Sequence, residues 1–402
     1  MKSKKLLCGV LVAALLTPNA FAMFSDTENH WAKKSIDRWS TAQVVTGDKA
    51  LFRPDAPLTR GEMAVMLDRL LGWKVSAKGN FSDLGEDWYT DAVRKAVAAG
   101  VLKGSGGKVR PTDEITRQEA TVMFCRAFGL SGGTGGKAFG DGDAVAPWAR
   151  DAVDTLSGRG FIGGVPGGGF APGADISRAS LTTIFDHAVD GFYTKAGSFT
   201  GTGGNGITIV RAPGVTLQNM KIGDLVVAPG AEGSETVLSN VTVSGTATVQ
   251  TGAEGVVTAT AGTSLKNLRL EGDNAHFEAL EGATLGTVTV TGNGTQVRGL
   301  PQGTKVTVAE GAANVQVNGT PATPGGEVLA PKDETTGFDD LEITIDIGGG
   351  TDAGGAGGGA GGGAGGGGIL PSPSPSPSPG IRYDEDGNII IDFGDLVKGE
   401  QP

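Results

Sequence analysis

Apolar residues in the first half of the chain recur at i, i+3, i+4, i+7 and i+8, the spacing of a helix with one buried face, and this happens three times. Met63, Met66, Leu67, Leu70 and Leu71 make the first stripe. Ala120, Met123, Phe124, Ala127 and Phe128 make the second, and Leu181, Ile184, Phe185, Ala188 and Val189 the third. A start signal precedes each. Leu58-Thr59-Arg60-Gly61-Glu62 returns as Ile115-Thr116-Arg117-Gln118-Glu119 and, altered, as Ile176-Ser177-Arg178-Ala179-Ser180, at intervals of 57 and 61 residues. Thr59 with Glu62, and Thr116 with Glu119, have the spacing of a capping box, in which hydroxyl and carboxylate each bond the other residue's amide. Ser180 stands where the third Glu belongs, so that box is half empty. Shorter stripes upstream predict partner helices beginning near His30, Asp87 and Pro147. They would bury Trp31, Ile36 and Trp39, then Trp88, Val93 and Val97, then Trp148, Val153 and Leu156. One such unit buries little surface alone, whereas three can share a core.

The helical period stops near residue 196. Short β-rich runs follow, Leu217–Ile222, Leu238–Val243 and Leu265–Leu270, with weaker copies at Leu285–Val290 and Ala312–Val317, at steps of 20–27 residues. This spacing suits the rungs of a parallel β-helix, with Asn219, Asn240 and Asn267 placed to stack in a turn. An antiparallel sandwich competes, since it too has short strands at regular spacing.

Seventy glycines and few aromatics argue for a repetitive or partly disordered chain. The net charge of −11 and the lack of a basic stripe make nucleic acid an unsuitable partner. Residues 1–22 read as a secretory signal: Lys2, Lys4 and Lys5, an apolar run from Leu6 to Leu16, then Ala20-Phe21-Ala22. The run is short for a membrane span, and its removal takes the charge to about −14. Cys8 leaves with it, so Cys125 has no disulfide partner and no cysteine metal cluster is possible. Residues 348–368 form a Gly/Ala tether and 371–379 a Pro-Ser spacer. Ile381 to Phe393 reads as a hairpin turning at Asp386-Gly387. Asp384, Asp386 and Asn388 mimic the start of a calcium loop, but Gly387 falls at the wrong place for one.

Arg60, Arg117 and Arg178 fall at the first helical position, where amide donors, the helix dipole and a planar guanidinium together favour an anion. The alternative is that each pairs with a neighbouring acid and ties repeats together. Further marks recur around the motif. They are Phe24-Ser25-Asp26, Phe81-Ser82-Asp83 and Phe139-Gly140-Asp141, then Trp31, Trp88 and Trp148. Val44-Val45-Thr46-Gly47, Val101-Leu102-Lys103-Gly104 and Phe161-Ile162-Gly163-Gly164 come next. Phe52-Arg53-Pro54, Val109-Arg110-Pro111 and Phe170-Ala171-Pro172 close the set. Together these residues resemble the S-layer homology family, in three copies.

The resemblance implies an all-α, three-repeat pseudo-trimer bundle with grooves between units. It implies binding to pyruvylated secondary cell-wall polysaccharide attached to peptidoglycan. Carried over by position, the binding residues are Asp26, Trp31, Gly47 and Arg60; Asp83, Trp88, Gly104 and Arg117; and Asp141, Trp148, Gly164 and Arg178. Read from the residues alone, the tryptophans are core anchors or ring stackers, the aspartates first-helix caps or sugar acceptors, and the glycines a turn needing positive φ.

The expected organisation is multidomain α + β: signal 1–22, repeats at 23–79, 80–137 and 138–195, a β-solenoid at 196–320, a linker at 321–380 and a tail at 381–402. The chain is expected to be secreted to the cell wall or S-layer, without cofactor, metal or transmembrane segment after signal cleavage. Other envelope or S-layer proteins are its possible further partners. Acids at 196–320 form no dense group, so the chain is expected to be no enzyme and to anchor a β-rich stalk. A β-helix polysaccharide-active enzyme and a self-assembling S-layer subunit are the alternatives.

Overall fold

The structure is a computed structural model that describes residues 24–333, apart from Thr134, Lys137 and Thr202, together with 381–383 and 389–391. The signal, the Gly/Ala and Pro-Ser segments, and the turn at Asp386-Gly387 with its calcium-like residues lie outside the described residues.

Among the described residues six α-helices follow in sequence as the three expected repeats, α1 (Lys33–Thr41) then α2 (Arg60–Leu71), α3 (Thr90–Ala98) then α4 (Arg117–Phe128), and α5 (Arg150–Gly158) then α6 (Arg178–Ala188), and they pack across repeats, α1 on α6, α2 on α3 and α4 on α5. Both capping boxes close. The Thr59 amide donates to Glu62 Oε2 at 2.8 Å and the Thr116 amide to Glu119 Oε2 at 3.0 Å, while each threonine hydroxyl accepts from the glutamate amide. In α6, Ser177 Oγ accepts the Ser180 amide and donates to Ser180 Oγ at 2.9 Å, which fills the vacant half of the box weakly. Helices α2 and α4 end on left-handed Gly72 and Gly129.

The first helix of each repeat starts three residues later than its apolar stripe suggests. Trp31, Trp88 and Trp148 therefore sit in the preceding turn and are 65%, 67% and 57% exposed. The expectation that they are buried is wrong; Ile36, Trp39, Val93, Val153 and Leu156 carry the burial instead.

Three backbone hydrogen bonds join the repeats in a ring. Leu58 N–H donates to the Ile176 carbonyl (2.9 Å), Ile176 to Ile115 (3.0 Å), and Ile115 back to Leu58 (2.9 Å). All three side chains are buried in one core with the stripes of α2, α4 and α6.

Helix α6 has no glycine stop. It turns directly into β1 (Val189–Tyr193), the first of the parallel strands, inside what was expected to be the third helical repeat. One face of the solenoid stacks β1, β3 (Ile207–Val210), β5 (Asp224–Val227), the end of β6 (Thr236–Val249), β8 (Ser264–Leu270), β10 (Thr284–Val290) and β12 (Lys305–Val308). The other stacks β2 (Gly197–Thr200), β4 (Val215–Ile222), the start of β6, β7 (Val256–Ala259), β9 (His276–Ala279), β11 (Gln296–Arg298) and β13 (Gln316–Val317). All of these pairings are parallel, as in a β-helix. The far end is closed by antiparallel β14 (Thr320–Pro321) on β13 and β15 (Gly326–Leu329) on β12, which covers edges that would otherwise invite pairing.

Register differs from the motif alignment. Leu217 stacks on Leu238, and left-handed Asn240 donates through Nδ2 to left-handed Asn219 at 2.7 Å. Leu265 stacks on Val243 rather than Leu238, and a shift in β6 between Val243 and Thr246 then sets Asn267 on Thr246. Asn267 leaves the asparagine stack and donates to the Gly245 carbonyl. In the separate C-terminal unit, β16 (Ile381–Tyr383) and β17 (Ile389–Ile391) pair antiparallel, as a hairpin requires.

The solenoid and the bundle share a core. Val189, Ile207, Ile209, Val226 and Ala228 belong to the same buried cluster as α1–α6. Arg159 pairs with buried Asp224, and Gln250 donates to the Ala127 carbonyl at 3.2 Å.

Candidate functional site: three grooves between repeats

Each arginine at a helix start reaches into the next repeat. Arg60 Nε donates to the Val109 carbonyl (3.1 Å) and Nη2 to Lys103 (3.0 Å); Arg117 makes the same bonds to Phe170 (2.8 Å) and Gly163 (3.2 Å); Arg178 to Phe52 (2.9 Å) and Thr46 (2.7 Å). The remaining nitrogen, Nη1, meets the capping-box glutamate of that repeat: Arg178 with Glu62 at 2.7 Å, Arg60 with Glu119 at 3.6 Å. For Arg117 the matching residue is Ser180, and among the described residues no carboxylate bridges it. Burial works against the Arg117 charge, and nearby Asp141 supports it electrostatically.

The amides at the helix starts are not free for an anion. Those of Arg60 and Gly61 donate to the Asp113 and Pro111 carbonyls, those of Arg117 and Gln118 to Ala174 and Pro172, and those of Arg178 and Ala179 to Ala56 and Pro54. An anion in these grooves has the guanidinium rather than the helix end as its donor.

Asp26, Asp83 and Asp141 cap no helix. Each carboxylate takes two consecutive backbone amides of its own repeat: Phe52 and Arg53 at 2.9 and 2.7 Å, Val109 and Arg110 at 3.0 and 2.7 Å, Phe170 and Ala171 at 2.6 and 2.7 Å. The second residue of each pair is left-handed without being glycine, with φ of 58°, 51° and 56°, a conformation costing on the order of 1 kcal/mol. The aspartates hold that bend, and the bend aims the carbonyls that receive the arginines. Partial burial raises the Asp26 and Asp83 pKa, but the two amide bonds outweigh it and leave both lowered; the amide bonds dominate at Asp141, also lowered.

Gly47, Gly104 and Gly164 do not have positive φ, contrary to the turn reading. They are needed for close approach: a Cβ would collide with the carbonyls of Leu51, Lys108 and Gly169 respectively.

Each groove draws on all three repeats. The first, about 410 Å³, holds Arg178, the loop at Thr46–Gly47 and Trp88. The second, about 160 Å³, holds Arg60, Lys103 and Trp148. The third, about 480 Å³, holds Arg117, Gly163–Gly164 and Trp31. So the expected arginines and tryptophans meet in every groove, joined by Gly47 in the first and Gly164 in the third, whereas Gly104 does not line the second; each groove mixes residues of different copies. The aspartates stand behind the loops. One recurring position was missed: Arg69, Arg126 and His187, nine residues after each arginine, line the same grooves. The only signal for it in the sequence was a basic residue in the last turn.

The family model for the S-layer homology domain matches residues 24–64, 80–121 and 138–182. The chain is similar to an amylopullulanase of Thermoanaerobacterium thermosulfurigenes, 32% identical over 44% of this chain and 10% of that protein. It is similar to exoglucanase XynX of Acetivibrio thermocellus, 33% identical over 40% of this chain and 16% of the relative. A surface-layer 125 kDa protein of Lysinibacillus sphaericus is 29% identical over 45% of this chain and 16% of its own length. The chain thus spans between a tenth and a sixth of these relatives. It carries three tandem S-layer homology domains followed by a β-solenoid. No helix among the described residues is long and apolar enough to cross a membrane.

The expectation that the chain is no enzyme is corrected by these relatives, two of which bear enzyme names. That expectation rested on scattered acids in one segment, which bears on one kind of catalytic site and not on the chain.

Proposed function

We propose that this protein handles polysaccharide at the cell wall, with the three grooves holding sugars of a secondary cell-wall polymer. The observation that carries the reading is the meeting, in each groove, of an exposed indole from one repeat and a partly buried guanidinium from another. An indole face suits the apolar face of a sugar ring, and a guanidinium suits a carboxylate such as a pyruvyl group. The Arg117 groove is the strongest candidate for the carboxylate, because its guanidinium has no glutamate of its own. Cosedimentation with purified wall sacculi tests this. Arg117→Gln should lower the bound fraction about tenfold at limiting sacculi, and removing pyruvyl groups from the wall should have the same effect in the unaltered protein. Equal binding to both walls overturns the carboxylate assignment.

A second reading, polysaccharide cleavage, is favoured by the enzyme names among the relatives. On the outer solenoid face Thr258 bonds Glu235 and lies in register with Glu278, which puts two acidic residues beside one position of neighbouring rungs; a glycosidase needs such a pair on either side of the glycosidic bond. Reducing ends released from wall polymer by the full chain, and lost with Glu278→Gln, would support it; no release from any wall polysaccharide would remove it.

A further inference from the structure

The groove at Arg60 does not end at its tryptophan. Val122, Arg126 and Trp148 also wall a cavity of about 510 Å³ whose far side is Arg269, Glu271 and Thr291 of the solenoid. That cavity shares Gly129, Ser131 and Arg269 with another of about 210 Å³, lined by Thr246, Thr248, Asn267, Thr287 and Thr289. No residue lining the Arg178 or Arg117 groove lines either of these cavities. The second groove therefore adjoins, through shared walls, two further cavities that lead from the helical bundle onto the solenoid.

The chemistry of the trough selects its ligand. Trp148 offers a ring that is 57% exposed at the junction. Beyond it, Arg126 and Arg269 are balanced by Asp151 and Glu271, and Arg269 Nε is tied to Glu271 at 2.9 Å. The remaining solenoid side chains are hydroxyls and one amide, with Asp224 paired to Arg159 and with Val226 and Leu268 buried beneath them. A balanced surface has no excess cation for a phosphate backbone, and the apolar lining residues, Phe128, Leu130, Val226 and Leu268, are buried, which leaves no exposed apolar anchor for a peptide there. Hydroxyls and amides around one aromatic ring suit a neutral polyol, whose many OH groups each need a partner on leaving water.

We infer that this trough is a polysaccharide-binding site formed jointly by the second repeat groove and the solenoid. A polymer held at Arg60 continues past Trp148, across Arg269, onto the threonine-lined face. This rests on the wall-polymer reading above and adds to it that the solenoid binds several consecutive sugar units in line with one groove. The other two grooves then bind short segments only.

Titration calorimetry on the full chain tests it, using oligosaccharides of graded length released from purified secondary cell-wall polysaccharide by partial acid hydrolysis. Ser131→Trp fills the middle cavity from an exposed position without removing any side-chain contact. Thr287→Trp, also exposed, obstructs the far one. The unaltered protein should bind long fragments about tenfold or more tightly than disaccharides. Ser131→Trp should abolish that gain and leave the disaccharide Kd unchanged; Thr287→Trp should reduce the gain for the longest fragments only. Melting curves matching the unaltered protein's exclude unfolding as the cause. Length dependence that persists in both variants overturns the trough. Disaccharides that fail to bind the unaltered protein overturn the wall-polymer reading itself, a distinct result.

Discussion

The carboxylates of Glu62 and Glu119 each serve two repeats. One oxygen caps the residue's own helix and the other meets a neighbour's arginine. Ser180 can do only the first, and less well. Restoring the carboxylate with Ser180→Glu should therefore act in two directions at once. The completed capping box should stabilise the protein by on the order of 1 kcal/mol, seen as a higher denaturant midpoint. The same carboxylate should neutralise Arg117 and lower binding to pyruvylated wall. A variant that gains stability and keeps full binding would show that Arg117 does not need its free nitrogen. For Arg60, which is 7% exposed and bonded on every side, replacement by alanine should instead lower the melting temperature, because it strands two carbonyls at the repeat junction.

Helices were the legible elements. Stripe and capping box together located α2 and α4 to the residue, since both signals are local; for α6 they gave the start at Arg178 but ran one residue past its end, to Val189. The partner helices were displaced because a tryptophan reads as apolar whether it packs or faces solvent, and nothing nearby distinguishes Trp31 from Trp39. The loop elements were the least legible: Asp26, Asp83 and Asp141 act on amides 26 to 30 residues away, and although Phe52-Arg53-Pro54 and its counterparts recur, nothing in the sequence pairs them with the aspartates. These loops should be acid-sensitive. A carboxylate whose folded pKa is lowered contributes stability that is fully present above its unfolded pKa, near the ordinary value of 3.8, and is lost as pH falls below that through the folded value. Asp26→Asn should thus be less stable than the parent at pH 7 and lose less on going from about pH 4 to about pH 2. Urea midpoints at the two pH values check this, and parallel losses in both proteins would contradict it.

At the scale of the molecule, the parts expected to be an anchor and a separate stalk are continuous in both chain and core. Sequence could not reveal this, because Val189 completes a helical stripe and begins a strand with the same side chain. A polypeptide ending at Lys195, the boundary suggested by the repeats, would expose the surface that Ile207, Ile209, Val226 and Ala228 cover. It should melt more than about 5 °C below the full chain; an unchanged midpoint would mean that the shared core adds nothing. The parallel stacking of the solenoid was legible from its spacing, but its register was not, since the shift within β6 interrupts a motif that continues undisturbed in the sequence.

The ring through Leu58, Ile176 and Ile115 also fixes a number. A linear array such as the solenoid can lengthen by a rung inserted ahead of its β14–β15 cap, because each rung pairs with the next through the same parallel edge. In the bundle every amide and carbonyl of the ring is already taken within three copies, so a duplicated repeat finds no vacancy. Growth of this protein by duplication is open to the solenoid and closed to the bundle.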